Sequence, residues 1–173
     1  MSQPSFIDKF SQQFSLEPSR TALLIIDMQN ATGNREMGLG KLLTEQGNIE
    51  SAQYRFDRIE NLLIPNIQRL IAGFKDAGAH VIWITYGANA ADARDAPRHI
   101  APIIKATNNI AGQPEHEVVD ALKPGAGDLV LNKTTQGAFR STALDSSLRA
   151  LGVDTVVSTG VSTNNCVAMT SME

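Results

Sequence analysis

The chain has one cysteine and one tryptophan, and aromatic residues make up only 5% of its 173 positions. The single cysteine, Cys166, cannot close an internal disulfide. Nothing therefore calls for an oxidising compartment, and the expected location is the cytoplasm. Long apolar runs are missing too: no stretch of about 18 apolar residues is available to span a bilayer. There is no Lys/Arg run, and 15 basic against 18 acidic residues leave a net charge of −3, so neither a nucleic-acid nor a membrane partner is expected. The first 17 residues are polar, interrupted by Asp8 and Glu17, and lack the apolar centre of a signal peptide. What is present is 42% hydrophobic and 19% charged residues, which favours a packed core over disorder. No repeat, low-complexity tract or linker divides the chain, so one domain over residues 1–173 is expected.

Four apolar runs organise that domain: residues 21–26, 80–85, 128–132 and 154–159. Continuous runs of this kind suit parallel strands buried on both faces. Between the first two, residues 56–77 place Ile59, Leu62, Leu63, Ile67, Leu70, Ile71 and Phe74 on one helical face, closed by Gly78, with Pro65 as a kink or a later start. Residues 115–122 predict a short helix stopped by Lys123-Pro124-Gly125, and residues 142–151 predict another with Leu144, Leu148 and Leu151 inward. Residues 28–55, with Gly33, Gly38, Gly40 and Gly47, and residues 87–113 read as long irregular connections, which are often functional. Ahead of all this, Phe6, Ile7, Phe10 and Phe14 predict an amphipathic helix over residues 5–14, within an N-terminal extension over 1–18, packed on the body or on a partner subunit. Strands alternating with helices predict a three-layer α/β/α fold around a central parallel sheet.

Three of the four predicted strands lead into a residue with reactive chemistry: Asp27, Lys133 and Cys166. Each alone has a plain structural explanation. Asp27 can cap a strand, Lys133 can be a solvated strand end, and a lone cysteine is often a small buried hydrophobe. Together they mean more, because parallel strands bring their C-terminal ends to one edge, where open α/β sheets bind ligands. Cys166 follows the polar turn Gly160-Val161-Ser162-Thr163-Asn164-Asn165 and opens a segment able to be helical, where unpaired backbone N–H groups favour a thiolate. An Asp beside a Cys can serve as its base. A Lys between them keeps the carboxylate ionised and stabilises the thiolate.

Three segments carry a family resemblance: Leu24-Ile25-Ile26-Asp27-Met28-Gln29, then Asn132-Lys133-Thr134-Thr135-Gln136-Gly137-Ala138-Phe139, then Thr159-Gly160-Val161-Ser162-Thr163-Asn164-Asn165-Cys166-Val167. In order and spacing they resemble the signature segments of the isochorismatase-like cysteine hydrolases, and residues 141–152 also fit that pattern. The resemblance runs from about Thr21 to Glu173. It implies Asp27, Lys133 and Cys166 as a catalytic triad. It also implies a cis peptide at Val161–Ser162 that aims the Ser162 N–H, alongside the Cys166 N–H, into an oxyanion hole. It further implies a homo-oligomer and a small amide, carbamoyl or ureido substrate cleaved at a C–N bond through a thioester on Cys166.

The pattern is broken in two places. Nicotinamidases of the superfamily hold a metal with an Asp and paired His residues after the second strand. Here residues 86–94 contain no Asp-x-His, so no metal and no cofactor are expected. The chain also stops seven residues past Cys166, where family members continue through at least one more strand and helix, so a truncated chain is expected. Tyr86, Arg94, Gln136 and Phe139 are the candidate substrate-binding residues, and Arg94, Arg98 or Arg140 could meet a substrate carboxylate as a bidentate pair. Two other readings share the fold: an isochorismatase-type vinyl-ether hydrolase, which does not rely on a thiol, and a non-catalytic member. Cys166 in register favours the amidohydrolase.

Overall fold

The computed structural model describes residues 6–10 and 15–173. Its frame is a parallel sheet of β1 (Thr21–Ile26), β2 (His80–Tyr86), β3 (Leu129–Lys133) and β4 (Thr155–Gly160), in spatial order β3-β2-β1-β4. All three pairings are parallel, with Leu24 opposite Ile82 on one side and Ser158 on the other. Central β1 is buried at every residue, as a strand covered on both faces requires.

Side chains of a strand alternate between the two faces, and the core splits accordingly. Leu23, Ile25, Val81 and Trp83 pack with Ile59, Ile67, Val118 and Leu122 on one face. Ala22, Leu24, Ile26, Ile82 and Ile84 pack with Leu144, Leu148 and Cys166 on the other. The helices are α1 (Asn30–Gly33), α2 (Gly38–Glu45), α3 (Gln53–Arg58), α4 (Ile64–Asp76), α5 (Ala101–Ala106), α6 (Leu144–Ala150) and α7 (Ala168–Met172); α4 covers the first face through Ile67, α6 the second through Leu144 and Leu148, and α5 packs through Ile104 in a separate cluster with Ala88 and Ala93. The result is the expected α/β/α arrangement. The lone tryptophan is in the core, its indole N–H donating to the Leu122 carbonyl at 2.8 Å.

The long helix begins earlier than its hydrophobic pattern predicts, at Gln53. Its α3 and α4 portions are joined by a π turn over Ile59–Leu63, directly before Pro65. Proline has no N–H to donate and its ring crowds the preceding turn, and a widened turn meets both demands. Residues 28–55 are not an irregular connection. They fold into α1, α2 and a 3-10 turn over Ile49–Ala52. Gly38 and Gly40 act here as contact residues, since a Cβ on either would overlap the backbone of Ala31 or Arg35. The predicted helix at 115–122 is replaced by two 3-10 turns, Pro114–His116 and Asp120–Leu122. Between them the chain is extended because Val118 bridges Gln29 and the Val119 N–H donates to the Met28 carbonyl at 2.9 Å. Of the predicted N-terminal helix, residues 6–10 contain a 3-10 turn over Phe6–Lys9, and Phe14 lies outside the described residues. Phe6 and Phe10 meet edge to face and are largely exposed rather than packed on the body. No helix among the described residues is long and apolar enough to cross a membrane.

Candidate active site

The site is assembled at the carboxyl edge of the sheet. β1 hands over to Asp27, whose φ of 55° turns the backbone out of the strand while its N–H still donates to the Ile84 carbonyl at 2.8 Å. Asp is among the few residues that tolerate this left-handed region. One strand away, Gly160 has φ 113°, and a Cβ there would overlap the Ile26 carbonyl oxygen. That close approach, with the Val161 N–H donating to the same carbonyl at 3.0 Å, sets the nucleophile turn directly against Asp27. The Val161–Ser162 peptide is cis. The Ser162 carbonyl accepts from the Asn165 N–H at 2.9 Å and the Val167 N–H at 3.3 Å, forming a π turn over Thr163–Val167 that carries the buried Cys166 into α7.

Lys133 ends β3, two strands from Asp27, and is fully buried. Its ammonium donates to Asp27 Oδ2 at 2.9 Å and to the Thr135 carbonyl at 3.3 Å, and it lies 4.0 Å from the centre of the Tyr86 ring. A buried ammonium survives only when paired, and these three contacts supply a counter-ion, a dipole and a π face. The second carboxylate oxygen, Asp27 Oδ1, is buried without a hydrogen-bond partner. The Cys166 thiol is coupled to this carboxylate by charge and by hydrogen bonding, and to Lys133 as well.

These surroundings set the protonation states. Burial raises the Asp27 carboxyl above its ordinary value, against the opposing pull of Lys133 and Cys166. Burial, then the Asp27 charge, push the Cys166 thiol up to about 12, with Lys133 opposing. The resting pair is therefore a neutral thiol and an acid–base carboxyl, and proton transfer between them has to accompany attack. Burial also raises Tyr86, whose hydroxyl is buried and unpartnered, so it remains a neutral phenol.

Of the four sequence-predicted substrate residues, Tyr86 is at the cluster, stacked on Lys133. Phe139 packs against the core face that holds Cys166, and its N–H donates to Glu173 Oε2 at 3.0 Å. Gln136 is half-buried in the loop after Lys133. Arg94 is not brought to the cluster. It is exposed, with Asp92 as its charge partner at 3.9 Å. Arg98 is exposed as well, and Arg140 is exposed against Glu173.

Two features were missed from the sequence. Gln29 is buried and ties the site to its surroundings: its amide nitrogen donates to the His116 carbonyl at 2.7 Å and lies 3.2 Å from Asn109 Oδ1, and its oxygen accepts from the Tyr86 N–H at 2.7 Å. The second is Arg55 of α3. Its Nη1 donates to Ser162 Oγ at 3.0 Å and its Nε donates to the Thr32 carbonyl at 3.2 Å. Arg55 shares a helix face with the buried Ile59 at i+4, and a cation one turn before an inward residue was the available signal. Among the described residues no group of three or more His, Cys, Asp or Glu side chains is placed to hold a metal.

Fold and site together define an α/β protein of the hydrolase type, with a Cys–Asp–Lys cluster at the carboxyl edge of a parallel sheet. Comparison with known proteins gives the family: residues 21–173 match the isochorismatase domain, and the chain belongs to the isochorismatase family. Among its relatives, ureidoacrylate amidohydrolase RutB of Variovorax paradoxus is 30% identical over 96% of this chain and 68% of its own length. A protein of the same name from Pantoea ananatis is 34% identical over 88% of this chain and 62% of its own. The chain thus spans roughly two thirds of these curated relatives. Among solved structures, a cysteine hydrolase from Pseudomonas syringae pv. phaseolicola superposes with a TM-score of 0.70 at 25% identity, covering 98% of this chain and 70% of that one. N-carbamoylsarcosine amidase from Thermoplasma acidophilum does so with a TM-score of 0.63 at 28% identity, covering 88% and 74%.

Proposed function

We propose that this protein is a cysteine amidohydrolase that cleaves a C–N bond of a small linear amide, carbamoyl or ureido compound. The observation that carries the reading is the meeting of Asp27 and Lys133, 106 residues apart, at 2.9 Å in the same buried pocket of charge that holds Cys166. The relatives support it, being named an amidohydrolase of ureidoacrylate and an amidase of N-carbamoylsarcosine. A reduced thiol suits the cytoplasm. The exposed Phe6 and Phe10 suit a second copy as partner in a homo-oligomer.

In this mechanism Asp27, through its unpartnered Oδ1, accepts the Cys166 proton as sulfur attacks the substrate carbonyl. The backbone N–H groups of Ser162 and Cys166 receive the oxyanion of the tetrahedral adduct. Asp27 returns its proton to the departing nitrogen, the C–N bond breaks, and ammonia or an amine leaves a thioester on Cys166. Asp27 then takes a proton from water, hydroxide adds to the thioester, and the thiol is released with the proton restored. Lys133 holds Oδ2 and offsets the anionic charge that passes between sulfur and carboxylate. The raised Asp27 pKa suits a group that must both accept and donate.

The test is ammonia release from a panel of small ureides and amides. Cys166→Ala should abolish turnover of whichever compound the parent hydrolyses, and quenched reactions of the parent should contain an acyl adduct on the Cys166 peptide by mass spectrometry. Full turnover by Cys166→Ala would sink the thiol mechanism and favour the vinyl-ether hydrolase chemistry of the same fold.

A further inference from the structure

We infer that Arg55 makes the cavity beside the nucleophile turn an anion subsite, so that the preferred substrate carries a carboxylate on the part of the molecule that extends toward α3. The inference rests on the reading of Cys166 as nucleophile and adds to it a charge requirement. A cavity of about 370 Å³ lies between α3 with its following π turn and residues 160–163. Its volume is that of a small-molecule site. Among the described residues Arg55 and Arg58 are its charged lining residues, beside Tyr54, the apolar Ile59, Leu62 and Leu63, and the turn that contains Ser162.

Arg55 is half-buried, yet among the described residues no carboxylate pairs with it. The nearby acids Asp57 and Glu60 are both engaged by Arg35, at 2.8 and 2.9 Å. Its two hydrogen bonds go to neutral oxygens, Ser162 Oγ and the Thr32 carbonyl, and use two of the five N–H donors of a guanidinium. A partly desolvated guanidinium with donors to spare is poorly compensated by the protein alone, and a planar carboxylate is the ligand that matches its fork. Ser162 connects this cation to the chemistry: its hydroxyl is held by Arg55, and its carbonyl accepts the bonds that form the turn containing Cys166. Burial works against the Arg55 charge, and negative charge on the Cys166 sulfur opposes that effect. Arg58 is exposed and stacks over Tyr54 at 5.9 Å, so it rims the cavity while Arg55 forms its inner wall.

Two alkylating reagents of nearly equal shape read this charge without turnover. Iodoacetate carries a carboxylate where iodoacetamide carries a neutral amide. The ratio of their rates at Cys166 should exceed that of a free thiol at low salt. Arg55→Gln should lower the ratio about tenfold, and Arg55→Lys should retain most of it, as expected for one desolvated charge pair. If Arg55 only holds Ser162 in place, both reagents slow alike in Arg55→Gln and the ratio stays put, which would overturn the inference. Should Arg55→Gln fail to fold, the parent ratio must still fall toward the free-thiol value as salt is added; a salt-independent ratio refutes the subsite equally well. A separate arm removes the thiol. In a Cys166→Ala background, calorimetry should show 3-ureidopropionate binding at least tenfold tighter than uncharged propylurea, a preference lost with Arg55→Gln. Equal affinities there count against Arg55 even if Cys166 is the nucleophile. A retained preference together with undiminished turnover by Cys166→Ala would instead leave Arg55 standing and remove the thiol mechanism.

Discussion

Replacing Lys133 with methionine tests the electrostatic heart of the site independently of any substrate. Methionine fills much of the same volume, so packing is largely kept, but the ammonium that holds Asp27 Oδ2 at 2.9 Å is gone. Asp27, with a side chain only 6% exposed, is left as a buried carboxylate with neither oxygen paired by a cation. Breaking one side of a buried pair costs about 3–5 kcal/mol. For a chain of this size that corresponds to a fall in Tm of roughly 6–20 °C. The deficit should depend on pH. Burial already raises the Asp27 pKa, and removing the opposing Lys133 raises it further. A carboxyl whose folded pKa lies above its unfolded value destabilises the fold progressively as pH rises from the unfolded pKa, about 3.9, through the folded one. Lys133→Met should therefore be closest to the parent near pH 5, where Asp27 can stay protonated, and furthest from it near pH 8. Urea denaturation at both values measures this. Adding Asp27→Asn should recover much of the loss at pH 8, because the buried charge then disappears with its partner. Equal deficits at the two pH values, or strictly additive costs in the double variant, would refute the account of Lys133 as the counter-ion of Asp27.

Other expectations follow from the same geometry. Because the Cys166 thiol is pushed up to about 12, its alkylation by iodoacetamide should climb steadily from pH 7 to 10 without levelling, and Asp27→Asn should speed it at pH 8 by about tenfold or more; a plateau near pH 8.5 would contradict this. Gly160→Ala should lower Tm by at least about 6 °C, the scale of a 3 kcal/mol loss, because its Cβ has to displace the Ile26 carbonyl, and a Tm within 2 °C of the parent would show that the turn relaxes freely. Burial lowers the His116 pKa, so the folded state prefers the neutral ring, and stability should fall as pH drops below about 6.5. His116→Gln should flatten that part of the stability–pH curve, and an unchanged slope would assign the loss to other groups.

The four strands and the edge they share were legible because each is a short apolar run that ends in a polar residue. Asp27, Lys133 and Cys166 could be brought together on paper because parallel strands leave little freedom about where their ends go. Residues 115–122 were misread for the opposite reason. Their spacing suits a helix, but Val118 and Val119 find backbone partners in Gln29 and Met28, and tertiary pairing overrides local pattern. The glycines of residues 28–55 suggested a loop when two of them mark close backbone contacts at α2. Arg94 drew notice as a basic residue in an irregular segment, whereas Arg55 fell in the stretch assigned to that loop. Composition cannot distinguish a solvated arginine from one that leans on Ser162; only the placement of α3 does.

The pairing of β1 with β4 also bears on how the site comes into being. Thr159 Oγ1 donates to the Leu24 carbonyl across 135 residues of sequence, a longer span than the 106 that separate Asp27 from Lys133. During synthesis from the N-terminus, β1, β2 and β3 are available to associate before β4 emerges, and contacts of large sequence separation are slow to close. The carboxylate and its ammonium can thus be in place before the thiol arrives. A nascent chain would hold an inert, charge-balanced half-site and acquire its reactive sulfur last.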